Sequence, residues 1–155
     1  MIGEKGPVPS TETLAILERL VAFPTVSRDG NLDLIRHVQS LLEPLGALCR
    51  LTFDAAGAKA NLLASFGQGD GGLVFSGHTD VVPVDGQAWD VEPFRLTELG
   101  GRVHGRGTAD MKGFIAIVLA AAPRMAASGR PFHIALSYDE EVGCVGARDL
   151  VADLV

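Results

Sequence analysis

The residues of this chain best equipped for chemistry are His78, Asp80, Asp110, Glu140 and Glu141, and they fall in three short clusters. The clusters read Ser76-Gly77-His78-Thr79-Asp80, Gly107-Thr108-Ala109-Asp110-Met111-Lys112-Gly113 and Asp139-Glu140-Glu141-Val142-Gly143. One imidazole with several carboxylates is a donor set that borderline divalent cations such as Zn²⁺ favour. A further glutamate beside the ligands would supply the base that metal-assisted hydrolysis needs. Taken alone, His78 reads as a structural histidine. Asp80, two residues on, alters that reading, because a metal-bound imidazole gives its second N–H to a carboxylate or carbonyl. Asp110 reads either as a helix N-cap or as a carboxylate able to bridge two cations. Gly105, Gly107 and Gly113 around it argue for close backbone approach and so for more than a cap. The acids 139–141 follow an apolar run and precede the small, apolar stretch Val142-Gly143-Cys144-Val145-Gly146, so they read as positioned rather than solvated. Adjacent acids point in different directions, which leaves Glu140 and Glu141 free for different tasks. Lys112 reads as a solvated first-turn lysine.

The elements around these clusters must bring them together. Leu14, Leu17, Leu20 and Val21 recur at helical spacing, with Ser10 or Thr11 as N-cap and Pro24 as the stop. Asn31 is expected to cap a second helix whose apolar face is Leu34, Ile35, Val38, Leu41, Leu42 and Leu45, ended by Gly46. Strands are predicted over 48–53, 61–66 and 73–76, the last leading into His78, with residues 67–72 as a hairpin-like connection. Residues 81–101 are irregular, and Trp89 and Phe94 mark that stretch as packed rather than disordered. A helix is predicted over 111–127, ended early or kinked by Pro123. A strand over 132–138 runs into the acids, and another helix begins at Ala147. Helices alternating with strands predict an α/β fold with helices covering a sheet. Residues 1–9 read as a loose tail and 10–155 as one domain.

Composition narrows the classes of function. The chain is 47% hydrophobic and 21% charged, as globular proteins are, and its net charge of −6 argues against nucleic acid or an anionic membrane as partner. No apolar run reaches the ~18 residues of a membrane span. The N-terminus lacks the charged-then-apolar plan of a signal peptide, so the cytoplasm is the expected compartment. The two cysteines make no disulfide framework; Cys49 is expected to be a buried thiol, and Cys144, three residues past Glu141, could line a pocket. His37 is expected at the surface, His104 could approach the site, and His133 lies in a strand. There is no phosphate loop, dinucleotide fingerprint or nucleophile elbow.

Taken together, Ser-Gly-His-Thr-Asp-Val-Val-Pro-Val, Gly-Arg-Gly-Thr-Ala-Asp-Met-Lys-Gly and Asp-Glu-Glu-Val-Gly resemble, in order and separation, the motifs of the co-catalytic di-zinc deacylases and peptidases. The resemblance covers almost the whole chain after the tail. It implies a mixed sheet flanked by helices, the N-terminal part of a di-zinc aminopeptidase-like catalytic domain. It implies that His78 binds one metal, Asp80 orients His78, Asp110 bridges both metals before a cis peptide, Glu141 ligates the second metal, and Glu140 is the general base and acid. It implies two Zn²⁺ ions, with Co²⁺ as an alternative, a small N-acylated amino acid as substrate, and a homodimer for the full-length protein. Two further ligands, an acid shortly beyond residue 155 and a late histidine, and an inserted lid or dimerisation domain have no counterpart in these residues. The chain alone is therefore expected to be weakly active or inactive, with an open sheet edge. The acyl group stays open, and so does a non-catalytic interaction role for the chain itself.

Overall fold

Helix α1, Thr11–Val21, forms where the spacing predicts, and the Ser10 hydroxyl accepts the Thr13 N–H at 3.1 Å. The computed structural model of the protein describes residues 9–69 and 71–152. The expected tail therefore lies, but for Pro9, outside the described residues, as does the end of the last predicted helix. Helix α2, Leu32–Leu42, buries Leu34, Ile35, Val38 and Leu42, but Leu41 is exposed on the flank of that face. A 3₁₀ turn, Glu43–Leu45, follows and ends at left-handed Gly46. Asn31 stands at the start of α2 without capping it by its side chain. Its amide instead donates to the Ala60 carbonyl and to Thr79 Oγ1, and accepts from the Ala60 N–H, each at 2.9 Å. A better set of buried partners displaces the local cap.

Strands β1, Leu48–Phe53, and β2, Ala60–Phe66, form an antiparallel hairpin. Strand β3, Leu73–His78, does not pair with β2. The 67–72 connection is thus a crossover, not a hairpin: strand β6, Phe132–Ser137, inserts between them to give the order β1-β2-β6-β3. Gly67 (φ 77°) and Gly72 (φ 115°) pass so close to the Pro131 backbone that a Cβ would lie 2.9 and 2.4 Å from it. The glycines there serve close passage over the start of β6. β6 runs antiparallel to β2 and parallel to β3, which makes the sheet mixed.

Between β3 and β6 come a small hairpin, β4 (Thr97–Leu99) with β5 (Arg102–His104), and helix α3, Lys112–Ala127. Trp89 and Phe94 are partly buried, as expected of a packed loop. Pro123 neither ends α3 nor breaks its assignment; it lies exposed in the last turns. Helix α4, Ala147–Ala152, closes the described chain.

Alternation in the central strands divides the core. Leu62, Ala64 and Phe66 of β2 and Phe132, Ile134 and Leu136 of β6 pack with residues of α1, α2 and α3 on one face. Leu63 and Ala135 point the other way and meet Leu150 of α4. The sheet is flanked by helices on both faces, as the sequence predicts. Among the described residues β3 is an edge strand of this sheet, and its Leu73 and Val74 are exposed. No helix among the described residues is long and apolar enough to cross a membrane.

Candidate metal centre

The parallel pairing of β3 with β6 sets His78 directly opposite Ser137. Both strands end there, so Asp139, Glu140 and Glu141 emerge beside the imidazole. This is the carboxyl end of a parallel pair, where open α/β sheets place their ligands. Asp110 arrives from the turn before α3, and the Asp110–Met111 peptide is cis, as the family resemblance implies. Met111, not Asp110, occupies the N-cap position and no side chain caps the helix, so the N-cap reading of Asp110 is set aside.

His78 is 5% exposed. Its Nδ1 lies 2.9 Å from the Asp80 backbone carbonyl and 3.5 Å from Asp80 Oδ1, while Nε2 lies 3.0 Å from Asp110 Oδ1 and 3.7 Å from Glu140 Oε2. The closer hold of Asp80 on the imidazole is therefore through its carbonyl. Its carboxylate gathers three donors as well: the Ser27 hydroxyl at 2.6 Å and the N–H groups of Glu140 and Glu141 at 3.0 and 3.3 Å. Burial works against ionisation of Asp80, but hydrogen bonds from His78, Ser27, Glu140 and Glu141 outweigh it and hold the carboxyl down at about 2. Burial likewise works against a charged His78, yet the bonds to Asp80 and Asp110 push the imidazole up to about 9. Burial raises the Glu141 carboxyl; His78 pulls it back, and the charges of Asp110, Asp80 and Glu140 push it further up.

His78, Asp110 and Glu141 each offer a donor atom, and these atoms lie within 4.8 Å of one another. Asp110 is largely exposed, so one side of the cluster stays open to solvent. An imidazole whose other nitrogen is already engaged, with two carboxylates that repel each other, fits a divalent cation. Glu140 stands beside the cluster rather than within it, with its side chain 44% exposed.

Other expectations fare differently. Lys112 is not solvated: it is fully buried, its Nζ donates to the Phe23 carbonyl at 2.7 Å, and desolvation lowers its pKa to about 7. The lysine sits where α3 packs against the end of α1, a contact its first-turn position does not reveal. His37 is half-buried against the Phe23 ring at 5.6 Å, not at the open surface, and burial lowers its pKa. His104 lines a pocket with Trp89 and Thr108 that includes none of the clustered acids. His133 bonds Ser65 Oγ at 2.9 Å and the Gly71 carbonyl at 3.2 Å. Cys49 is half-buried, and burial raises its thiol to about 11. Cys144 is exposed with Sγ 3.7 Å from Glu140 Oε1, so it does border the site.

Sequence reasoning missed the supports. Thr25 Oγ1 donates to the Thr79 carbonyl at 2.6 Å, and the segment around Val26 bridges to Val81 beside Asp80. Lys59 reaches Asp139 from the β1–β2 turn. These contacts span more than fifty residues of chain and leave no local spacing to read.

A mixed α/β sheet gathers an imidazole and carboxylates at the carboxyl ends of its parallel strands, the donor set of a candidate metal centre. The sequence pattern of Peptidase family M20/M25/M40 matches residues 74–155, and the chain belongs to that family. An acetylornithine deacetylase of Pasteurella multocida is 38% identical over 147 residues, covering 89% of this chain and 38% of that protein. Human carnosine dipeptidase 1 superposes with a TM-score of 0.76 at 27% identity, covering 92% of this chain and 35% of that one. An M20 family metallo-carboxypeptidase of Sulfolobus solfataricus shares the fold, with a TM-score of 0.79 at 23% identity over 93% of this chain and 34% of that one. The chain thus spans well under half the length of the relatives it matches.

Proposed function

We propose that the complete protein is a metal-dependent amidohydrolase that removes the acetyl group from N²-acetyl-L-ornithine, giving L-ornithine and acetate. The observation that carries this reading is the convergence of His78, Asp110 and Glu141 donor atoms within 4.8 Å, with Glu140 Oε2 3.7 Å from His78 Nε2. The acyl group and amine come from the deacetylase relative at 38% identity. His78 would hold one ion, Glu141 a second, and Asp110 both, with two Zn²⁺ or Co²⁺ ions as the set. When bound, such ions polarise the acyl carbonyl and make water more acidic.

The chain's own residues supply the proton traffic. Glu140 accepts a proton from water as the water oxygen bonds to the acetyl carbon. When the C–N bond breaks, Glu140 returns that proton to the leaving nitrogen. Asp80 orients His78 and, through the Glu140 and Glu141 N–H groups, the turn that bears the base. The product amine fits a place in arginine biosynthesis, in the cytoplasm, and the full-length protein is read as a homodimer with no nucleic-acid or membrane partner. Among the described residues, His78, Asp110 and Glu141 offer ligands to two ions, and the chain by itself is read as weakly active at most. The likeness to a dipeptidase at 27% identity favours dipeptide cleavage as the second reading.

The test is Glu140→Gln in the full-length protein, assayed on N²-acetylornithine and on a dipeptide panel. The variant should keep its metal content while kcat falls by roughly 10²–10⁴-fold. Near-normal kcat would remove Glu140 from the role of base, and a dipeptide preference in the parent protein would replace the substrate.

A further inference from the structure

The turn that carries Glu140 and Glu141 concentrates negative charge: Asp80, Asp139, Glu140 and Glu141 all converge on it. A lysine from a distant part of the chain meets that charge. Lys59 Nζ lies 2.7 Å from both carboxylate oxygens of Asp139 and 2.5 Å from the Ser27 carbonyl, and both members of the pair are mostly buried. Ser27 in turn donates its hydroxyl to Asp80, and Asp80 accepts the Glu140 and Glu141 N–H groups. These contacts close a ring from Lys59 through Asp139, Glu140, Asp80 and Ser27 back to Lys59.

The ring is anchored at both ends. The β1–β2 turn is fixed by Asp54, whose Oδ1 accepts the N–H groups of Ala58 and Lys59, each at 2.8 Å. That turn presses against the segment after Ser27: a Cβ at Gly30 would lie 2.6 Å from the Ala58 carbonyl. Asp139 adopts φ 54°, a left-handed conformation that L-residues avoid unless their surroundings hold them. A buried ammonium facing both oxygens of that aspartate is such a hold.

We propose that Lys59 is a positioning residue for the acidic turn, fixing Asp139 and thereby the direction in which Glu140 and Glu141 are presented to the metal cluster. The inference rests on the metal-dependent reading above. It adds a determinant that touches neither a proposed ligand atom nor substrate and lies outside all three motifs.

The test compares the 155-residue chain with its Lys59→Met and Lys59→Arg variants by two measurements. The first is amide hydrogen exchange, which involves no metal. Lys59→Met should speed exchange at the Glu140 and Glu141 N–H groups at least tenfold while Leu62 and Leu63 of β2 stay protected, and Lys59→Arg should restore most of the protection. The second is Co²⁺ titration followed by visible absorption. Lys59→Met should weaken binding by roughly 10–100-fold, as loss of an outer support does, and alter the absorption bands, with Lys59→Arg close to the parent. Unchanged exchange at Glu140 and Glu141 in Lys59→Met would overturn the proposal, and so would equal loss across β2, which would make Lys59 a general stabiliser. If the parent chain takes up no Co²⁺, the exchange measurement alone decides the role of Lys59, and the metal-dependent reading stands or falls on the metal content of the full-length protein.

Discussion

Replacing Lys112 with methionine should make the chain more stable at neutral pH and flatten its stability profile toward alkaline pH. The side chain is fully buried, one carbonyl, that of Phe23, accepts from its Nζ, and desolvation brings its pKa from 10.5 to about 7. The folded state thus binds this proton less readily than the unfolded chain. For a depressed folded pKa, stability is fully present above the unfolded value of 10.5 and is lost as pH falls through about 7. At about 1.4 kcal/mol per unit, the whole penalty is on the order of 5 kcal/mol, with roughly 2 kcal/mol of it developing between about pH 9 and pH 7. Against this, Lys112→Met leaves the Phe23 carbonyl without its donor, which costs about 1 kcal/mol. Methionine has nearly the shape of the lysine stem, so packing changes little. Urea unfolding of both proteins, followed by far-ultraviolet circular dichroism across this pH range, gives the difference directly. The variant should be the more stable at pH 7, and its advantage should shrink by roughly 2 kcal/mol at pH 9. A difference that stays flat with pH would mean that Lys112 titrates alike folded and unfolded, and the desolvation argument would be wrong.

Asn31→Ala removes three hydrogen bonds at once and strands the N–H and carbonyl of Ala60, a residue with no exposed surface. At about 1–3 kcal/mol for each orphaned buried group, urea unfolding should show a loss of roughly 3 kcal/mol; a loss well under 1 kcal/mol would refute the bridging role. The two cysteines should separate cleanly toward iodoacetamide at about pH 8. Cys144 is exposed, whereas burial lifts Cys49 to about 11, so mass spectrometry should find Cys144 labelled on the order of a hundredfold faster. Equal rates would show that the half-buried thiol is not shielded.

The motifs of the candidate site were legible because they are local. His78 and Asp80, Asp110, and the pair Glu140 and Glu141 each belong to a short motif whose residue types limit what they can do. The helices were legible for the same reason, since a 3.6-residue apolar period needs no partner to be seen. Partners fixed by chain crossings were hidden. Residues 67–72 have the composition of a tight turn, yet β6, which begins at Phe132, is the strand that lies beside both β2 and β3. Asn31 has the composition of a cap, yet Ala60 and Thr79 offer it better-buried bonds.

By itself, the sequence determined the inventory of donor atoms, the covalent adjacency of Glu140 and Glu141, proposed here as base and ligand, and the alternating helices and strands that specify an α/β fold. Tertiary structure alone decided that β3 and β6 lie side by side and parallel, which puts His78 opposite Ser137 and brings the acids to the imidazole. It alone decided that Lys112 is buried and that Lys59 closes a ring around Asp139. The physical reason is that burial and long-range pairing depend on which surfaces meet, and a residue's neighbours in the chain do not specify its neighbours in space.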